Sequence, residues 1–375
     1  MTAAILGLAA VSFVISWIVT FAMIRFAPRV GFVDKPGHRK IHHNPKPLGG
    51  GVAICFAVVL PLLAVVATAW IFKDPANACA PYLGGVRLKT PLALGLVLAL
   101  LAMHVMGLFD DRKAMGPYPK LVIQLAVTTL LIVSFKELRI LTTLGPAPSI
   151  VLTVLWVAAI TNAFNFLDNM DGLSAGIAAV ASVAFLVTAL SIGQLFVAGL
   201  LALLLGALLG FLWFNFSPAK IFMGDSGSLV IGLLLGVLTT LTTYLPKERP
   251  WGAGWYAVFA PVIVLAVPLY DLIVVSVIRL SRGTSPFVGD TNHFSHRLVA
   301  RGMSRRTAVL CLYLLTAATS VAAIILPHVQ STFAAILIFC QTMLILGVVA
   351  LLEQHPLPMP PAALDEPPST GETNA

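Results

Sequence analysis

Charged residues are scarce in this sequence. Asp, Glu, Lys and Arg make up 10% of its 375 residues, against about 25% in soluble domains, and 59% of the residues are hydrophobic. Water is therefore not its main solvent, and only helices or closed barrels satisfy their backbone groups inside a bilayer. The long apolar runs lack the alternation of barrel strands. We predict an all-α, polytopic integral membrane protein.

Cysteine is also rare, and its spacing offers no metal or disulfide pattern. The sequence has four cysteines, Cys55, Cys79, Cys311 and Cys340, which form no C-x-x-C pair, and three of them lie inside apolar runs. We interpret them as small hydrophobic residues. The formal net charge of +8 would favour nucleic acid as the partner of a soluble protein. In a membrane protein it reflects loop orientation, so we expect membrane lipids and no nucleic acid as partners.

The apolar runs predict about eleven spans, each near the roughly 20 residues that cross a bilayer. They cover residues 3–26, 50–72, 91–109, 121–135, 150–165, 173–192, 195–214, 229–245, 255–278, 307–327 and 332–352. The first run is too long for the apolar core of a secretory signal and lacks a basic start, so it is retained. We expect one transmembrane catalytic domain over residues 1–352 and a disordered, Pro-rich tail over residues 353–375.

Basic residues predict the orientation of these spans in the cell membrane. One side collects 16 of the 23 Lys and Arg residues and is assigned to the cytoplasm. An odd number of spans then places the amino terminus outside and the tail inside. Eight acids fall on or near the cytoplasmic face: Asp34, Asp110, Asp111, Asp168, Asp171, Asp225, Asp271 and Asp290. Because acids barely influence orientation, we interpret this group as a polyanion site organised by a divalent cation.

Two segments at the ends of spans carry four of these eight acids. In GLFDDRK, residues 107–113, Asp110 and Asp111 point about 100° apart on a helix, so one can bind metal while the other orients a base or substrate. In NAFNFLDNMDGL, residues 162–173, a polar side chain recurs every third position: Asn162, Asn165, Asp168 and Asp171. On a helix these would form one stripe, which is costly near lipid unless it binds something. A solvated helix end and a polar turn are the alternatives.

The segment NFSPAKIFMGDSGS, residues 215–228, joins two spans. Its glycines let the backbone approach a ligand, and we expect Asp225 and Ser226 to cap a helix whose start suits a phosphate. Asp225 is also a hard oxygen ligand of the kind that magnesium prefers. An ordinary capped turn is the alternative, but it does not account for Phe222 and Met223, which we expect to be exposed.

The late loop GDTNHFSHRL, residues 289–298, offers donors for a pyrophosphate. If it is helical, His293, His296 and Arg297 converge on one side. Metal binding by the two histidines is the weaker alternative, because carboxylates already supply a hard site. Asp271, inside an apolar span, is a further functional candidate, since a buried acid there is costly.

Together these segments resemble the polyprenyl-phosphate N-acetylhexosamine-1-phosphate transferase family, of the glycosyltransferase family 4 type. The paired aspartates, the N-x-x-N-x-x-D-N-x-D-G-L and F-M-G-D-x-G-S stretches and the histidine-rich loop carry the resemblance, which covers residues 31 to about 309. The first loop, DKPGHRKIH, and the ending HFSHRL are similar to the branch that uses UDP-GlcNAc. From its residues alone, that basic loop either neutralises phosphates or is an orientation signal.

The resemblance implies a role for each residue. Asp225 and Asp110 would bind Mg²⁺, with Mn²⁺ as an alternative, and Asp110 and Asp111 would handle the lipid phosphate. Phe222 would stack on the uracil base. The implied catalytic residues are Asp110, Asp111, Asp168, His293 and His296. The implied substrate-binding residues are Asn162, Asn165, Asp171, Asn215, Phe222, Lys120 and Arg297.

Two positions depart from the family pattern. Asn169 stands where the D-G-x-D-G-L stretch has its first glycine, a residue that lets the backbone approach the nucleotide. Ser295 stands where the late loop often has a second histidine. The neighbours of Ser295, rather than Ser295 itself, are therefore the expected phosphate contacts.

The implied reaction transfers GlcNAc-1-phosphate from UDP-GlcNAc to undecaprenyl phosphate and releases UMP. The attacking phosphate oxygen is largely ionised at neutral pH, so the main barrier is the approach of two polyanions. Transfer from UDP-MurNAc-pentapeptide or another UDP-N-acetylhexosamine is the closest alternative. A secondary transporter is a distant one, because the acids crowd one face and no repeat is evident. A covalent aspartyl intermediate and a homodimer are left open.

Overall fold

The computed structural model describes residues 2–34, 45–72, 80–242, 255–285 and 292–354. The helices are α1 (Thr2–Arg29), α2 (Gly50–Ile71), α3 (Ala80–Arg112), α4 (Pro117–Ser134), α5 (Pro146–Leu167), α6 (Leu173–Ser191), α7 (Leu195–Asn215), α8 (Asp225–Leu241), α9 (Ala260–Val264), α10 (Ala266–Ser281), α11 (Phe294–Ala300), α12 (Arg305–Ile325) and α13 (Thr332–Gln354). Strand β1 (Val33–Asp34) pairs antiparallel with β2 (Lys46–Pro47). Cys79, Asp290 and most of the predicted tail lie outside the described residues.

The predicted all-α, polytopic class is confirmed. Within the described ranges, nine helices are long and apolar enough to cross a membrane, namely α1 to α7, α12 and α13. The shorter α8, of 17 residues, is also apolar. The total of about eleven spans stays a prediction.

The predicted span over residues 255–278 is not one continuous helix, and its crossing of the membrane stays a prediction. The chain instead forms a 3₁₀ turn, Trp255–Phe259, followed by the short helix α9 and then by α10. Pro268 explains the break, because proline has no N–H to donate to the carbonyl of Val264 and its ring crowds the preceding turn. Within the first turn of α10 the same proline is tolerated.

Helix α8 lies at the centre of the bundle. Nearly all of its residues are buried, from Ser226 to Thr239, and it packs against α2, α3 and α5. A helix that is apolar all round belongs in such a position rather than at the lipid surface. Its first residue, Asp225, is therefore fixed by the walls of the bundle.

Helix α1 packs against α7 through small polar residues. Ser12, Ser16 and Thr20 recur every four residues on one face and are fully buried. The hydroxyl of Ser12 donates to the carbonyl of Leu203 at 2.6 Å, and that of Ser16 to the carbonyl of Ala207 at 2.6 Å. Small residues allow two backbones to approach closely, which is how membrane helices associate without a hydrophobic driving force.

A substitution at Gly107 tests whether the close contact between α3 and α8 stabilises the protein. A Cβ atom at this position would lie 2.4 Å from the backbone N and Cα of Ser226. Backbone cannot rotate aside as a side chain can, so we expect Gly107→Ala to lower the free energy of unfolding by about 1–3 kcal/mol. Thermal unfolding in detergent measures this change.

Gly85→Ala is the matched control in the same helix. A Cβ on Gly85 meets nothing within 4 Å, so its melting temperature should stay at or above that of the wild type. If the two variants melt at the same temperature, the close approach of α3 to α8 is not a constraint on stability.

Candidate active site

The start of α8 is capped from α3, not from its own sequence. The backbone N–H of Asp225 donates to Oδ1 of Asp111 at 2.7 Å, and that of Ser226 to Oδ2 at 3.2 Å. A carboxylate suits this position because the first N–H groups of a helix lack partners and carry positive charge. The predicted capping by Asp225 and Ser226 is therefore wrong.

Gly224 has a φ of +74°, and a Cβ there would lie 2.5 Å from Asp111, so only glycine fits.

Asp110, beside Asp111, points to a different partner. Its Oδ1 accepts from the backbone N–H of Met115 at 2.7 Å, and its Oδ2 lies 3.3 Å from Nζ of Lys120. Consecutive residues on a helix diverge by about 100°, which explains why the two carboxylates act separately. One carboxylate holds the start of α8, and the other faces the start of α4.

Lys120 joins the carboxylates of Asp110 and Asp225. Its ammonium pairs with both, and its side chain is 16% exposed. Asp225 also accepts from Nδ2 of Asn165 at 2.9 Å, and the same amide nitrogen donates to the hydroxyl of Ser228 at 2.9 Å. The ends of α3 and α5 and the starts of α4 and α8 thus meet at one group of side chains, the carboxylate cluster, made of Asp110, Lys120, Asn165 and Asp225.

Asp168 adds a further acid beside this cluster. It follows the last residue of α5, where the backbone has left helical geometry. Burial raises the pKa of the Asp168 carboxyl well above its ordinary value, and the negative charges of Asp225 and Asp111 raise it further. These acids therefore repel one another, which is the condition under which a bound cation is most stabilising.

The predicted polar stripe over residues 162–171 is only partly helical. Helix α5 ends at Leu167, so Asn162 and Asn165 share a helical face while Asp168 and Asp171 lie in the turn that follows. Asn162 Nδ2 donates to the side-chain oxygen of Gln124 at 2.9 Å. Tertiary packing of the turn, rather than helical periodicity, brings Asp168 near the cluster.

Asp171 and Asn215 hold loops together. Asp171 accepts from the backbone N–H of Ala219 at 2.9 Å. Asn215 accepts from the N–H of Gly172 at 3.0 Å and donates to the carbonyl of Ile221 at 2.9 Å. In this structure the side-chain atoms of Asn215 bond to backbone groups, and the predicted substrate binding by Asp171 and Asn215 stays a prediction.

Phe222 and Met223 differ from their predicted exposure. Met223 is 1% exposed, so that expectation is wrong, and Phe222 is partly buried against Phe32 and Leu48. The N–H of Phe222 donates to the carbonyl of Pro47 at 2.9 Å, which attaches the turn to strand β2. Strand β2 thus supports the F-M-G-D turn, whereas residues 35–44 of the first loop lie outside the described residues. The stacking role of Phe222 stays a prediction.

His293 lies in a buried group with Asp271 and Arg279. Its Nδ1 donates to Asp271 at 2.8 Å, and the N–H of Phe294 donates to the same carboxylate at 2.6 Å. Nη2 of Arg279 lies 3.4 Å from Nε2 of His293. Because a guanidinium can only donate, Nε2 of His293 is the acceptor in this contact. Asp271, singled out from the sequence, therefore orients His293, whose ring also packs edge-on against Phe166 at 5.7 Å.

His296 and Arg297 lie on α11 beside this group. The rings of His293 and His296 have centroids 6.4 Å apart. Arg297 donates to the carbonyl of Asn292 and stands over the ring of Phe294 at 5.8 Å. The predicted convergence of His293, His296 and Arg297 assumed a helical stretch, but His293 precedes α11 in an extended conformation, and only the two histidine rings are seen near each other. Their contacts with a pyrophosphate stay predictions.

A magnesium site was predicted at Asp225 and Asp110. Across the described ranges, no three His, Cys, Asp or Glu side chains are arranged to hold a metal. The chemistry of the donor set nevertheless suits magnesium, which is bound by one or two carboxylates together with substrate phosphates. Asp110 and Asp225 already share one cation, the ammonium of Lys120. The two carboxylates fit the ion, and its binding stays a prediction.

Comparison with known proteins shows the family to which the chain belongs. A family model described as glycosyl transferase family 4 matches residues 93–243. A probable undecaprenyl-phosphate N-acetylglucosaminyl 1-phosphate transferase of Bacillus subtilis is 32% identical over 330 residues, covering 86% of this chain and 85% of that protein. The chain belongs to glycosyl transferase family 4. The family predicted from the motifs is thereby confirmed.

Two further relatives within glycosyl transferase family 4 cover most of the chain. A decaprenyl-phosphate N-acetylglucosaminephosphotransferase of Mycobacterium tuberculosis is 33% identical over 341 residues, or 83% of this chain and 79% of that protein. An undecaprenyl-phosphate alpha-N-acetylglucosaminyl 1-phosphate transferase of Escherichia coli is 29% identical over 323 residues, or 81% of this chain and 79% of that protein. The likeness therefore extends beyond the family-model region to the histidine loop.

The two departures from the glycosyl transferase family 4 pattern contact each other. The hydroxyl of Ser295 donates to Oδ1 of Asn169 at 2.6 Å, and Asn169 Nδ2 donates to the carbonyl of Phe166 at 2.7 Å. Ser295 is 1% exposed, so this bond is shielded from water. The pair joins α11 to the turn after α5 and gives both residues a structural role.

Sequence reasoning missed Phe166 and Gln124. Phe166 separates the carboxylate cluster from His293, and the guanidinium of Arg279 stands over its ring at 5.0 Å. Gln124 lies one helical turn after Lys120 on α4 and accepts from Asn162. The spacing of four residues between Lys120 and Gln124 was the available signal, since it places both on one face of a helix.

A double-mutant cycle tests the bond between Ser295 and Asn169. We expect the variants Ser295→Ala and Asn169→Ala to show a coupling free energy of about 0.5–1.5 kcal/mol, the net contribution of one hydrogen bond. Thermal unfolding of the wild type, both single variants and the double variant measures it.

Ser149→Ala combined with Ser295→Ala is the control, because Ser149 donates to the carbonyl of Ile140 in another part of the chain. That distant pair should be additive to within about 0.5 kcal/mol. Additivity of the Ser295 and Asn169 variants would show that the bond contributes nothing to stability.

Proposed function

We propose that this membrane protein transfers GlcNAc-1-phosphate from UDP-GlcNAc to undecaprenyl phosphate, giving undecaprenyl-pyrophosphoryl-GlcNAc and UMP. The observation that carries the proposal is the pairing of Lys120 with both Asp110 and Asp225, residues from three separate segments of a family 4 chain. Relatives covering over four-fifths of the chain are named for the same transfer to a polyprenyl phosphate.

The location of the cluster suits one lipid substrate and one soluble substrate. Asp110 is the third residue from the end of α3, and Lys120 is the fourth residue of α4. Ends of apolar helices lie where lipid gives way to water, so a polyprenyl chain can stay in the bilayer while its phosphate reaches the cluster. We place this end of the bundle on the cytoplasmic side, where basic loops predominate.

The chemistry requires alignment and charge neutralisation more than base strength. The lipid phosphate oxygen attacks the phosphorus attached to the sugar, a phosphoanhydride forms, and the bond to UMP breaks. Lys120 would neutralise phosphoryl oxygens, and Asn165 would hold Asp225 in place. Mg²⁺ held by Asp110 and Asp225 would supply further charge neutralisation when bound. Asp111 contributes by fixing the start of α8.

The histidine group would act on the other side of Phe166. Asp271 holds the His293 ring in one tautomer, as a carboxylate does for a functional histidine. Arg279 lies against Nε2 of His293, so a phosphate that displaces this contact would accept from the guanidinium, and from Nε2 of His293 only when that nitrogen carries a proton. We therefore assign this group to binding the pyrophosphate of UDP-GlcNAc.

Release of UMP by the purified protein tests the proposed function. Protein in detergent is incubated with UDP-GlcNAc, undecaprenyl phosphate and Mg²⁺, and UMP is quantified. We expect release only when all three are present. Release that is independent of the lipid, or found only with UDP-MurNAc-pentapeptide, would contradict the proposed substrates.

Asp225→Asn should lower the rate of UMP release by about 100-fold or more, because it removes a charge on which the alignment of phosphates depends. Asn165 and Lys120 contact different oxygens of Asp225, and the amide keeps only one oxygen, so one of the two bonds is lost. Thermal unfolding of the variant therefore separates this loss of stability from the loss of activity. Glu137→Gln is the control. Glu137 pairs with Lys89 at 2.5 Å, and Lys89 lies about 30 Å along α3 from Asp110. A wild-type rate in Asp225→Asn would remove this residue from the catalytic set.

Phe222→Ala should weaken UMP binding by about tenfold, the contribution of one base stacked on an aromatic ring. Titration calorimetry with UMP measures the affinity, and thermal unfolding separates it from the loss of packing against Phe32 and Leu48. Phe333→Ala, at a ring that is 70% exposed on α13, is the control. Equal UMP affinity in the wild type and Phe222→Ala would reject the stacking role.

A further inference from the structure

A small cavity opens between α4 and α5 beside the carboxylate cluster. Its volume is ≈ 200 Å³. Pockets that take a whole small-molecule ligand are larger, about 300–1,000 Å³, so this one fits a single group of a substrate rather than a nucleoside. The polar and aromatic residues that line it are Asp110, Lys120, Gln124, Asn162, Asn165 and Phe166.

Gln124 is the buried residue of this lining. Its side chain is 1% exposed, and its Oε1 accepts from Nδ2 of Asn162 at 2.9 Å. Among the residues that the structure describes, its Nε2 has no hydrogen-bond partner. A buried N–H donor without a partner is rare in folded proteins and requires an explanation.

The orientation of the Gln124 amide follows from its neighbour. Asn162 Nδ2 also donates to the backbone carbonyl of Ala158 at 2.8 Å, and a carbonyl can only accept. The atom of Asn162 that faces Gln124 is therefore the nitrogen, so Gln124 must present its oxygen there. Its Nε2 is consequently directed away from Asn162, and in the part of the chain that the structure describes this buried nitrogen has no acceptor for either of its hydrogens.

Lys120 places a second donor in the same cavity. Lys120 and Gln124 are four residues apart on α4, a spacing that puts their side chains on one face of the helix. An ammonium and a neutral amide N–H together suit an anionic oxygen acceptor better than a hydroxyl. A phosphoryl group combines such oxygens with a size that fits the cavity.

We propose that Gln124 positions a substrate in this cavity by donating from Nε2 to a phosphoryl oxygen. This inference rests on the proposed function, which supplies two sources of such an oxygen. One is the phosphate of the lipid acceptor, and the other is the pyrophosphate of UDP-GlcNAc. Asn162 acts through Gln124, because its bond to Oε1 sets the direction of the free donor.

Two variants of Gln124 separate its donor from its acceptor. Gln124→Glu keeps an oxygen for Asn162 but replaces the donor with a negative charge, and Gln124→Met removes the donor without adding charge. We expect each to lower kcat/KM by about tenfold or more, the loss of one hydrogen bond to a charged group. The KM for each substrate is measured separately, because the KM that rises identifies which phosphate Gln124 contacts.

Ligand-induced thermal stabilisation supplies a readout that does not depend on turnover. Undecaprenyl phosphate and UDP-GlcNAc, added separately, should each raise the melting temperature of the wild type by mass action. One of the two shifts should shrink in both Gln124 variants, and it should be the shift of the substrate whose KM rose.

Thr128→Val is the matched control. Thr128 lies one turn further along α4, is fully buried, and has a hydroxyl without a partner among the described residues, but it does not line the cavity. Its kcat/KM and both shifts should equal those of the wild type.

Two negative outcomes have different meanings. If the wild type releases UMP while both Gln124 variants keep its kcat/KM and both thermal shifts, the role of Gln124 is overturned and the proposed function stands. If the wild type neither releases UMP nor is stabilised by either compound, the proposed function fails, and the inference drawn from it fails too.

Discussion

The pairing of one lysine with two carboxylates organises the whole site. Lys120 lies in the first turn of α4, Asp110 lies in the last turn of α3, and Asp225 begins α8, so their side chains meet only if three helices terminate at the same depth. Charges at the edge of a bilayer are costly unless they are paired or bind a ligand. The bundle satisfies this condition by gathering the charges, and the same gathering creates a place where two polyanions can be held together.

A second constraint acts on the backbone. The N–H groups at the start of α8 need acceptors, and Asp111 supplies them from α3. This frees Asp225 to face Lys120 and Asn165, although it is the first residue of its helix. Asp111 binds the start of α8 while Asp110 faces Lys120, because adjacent residues on a helix point in different directions.

Composition and motif spacing were enough to predict the helical membrane fold and the segments that form the site. Periodicity failed where tertiary packing decides, as at Asp168, which lies in a turn, and at Met223, which is buried. The hydropathy pattern also failed to predict the break between α9 and α10, because hydropathy does not depend on the N–H donor that Pro268 lacks. The contact between Asn169 and Ser295 joins residues 126 positions apart, and no local pattern reveals it.

We propose that Asp110 and Asp225 bind the divalent cation of this transferase. The most direct test is a crystal structure of the protein with Mn²⁺ and UDP, in which anomalous scattering locates the manganese. We expect a manganese peak within about 2.0–2.3 Å of a carboxylate oxygen of Asp225. Asp110 should be a second ligand or should contact the manganese through one water molecule. A peak at His293 and His296, or one with no contact to either aspartate, would contradict it.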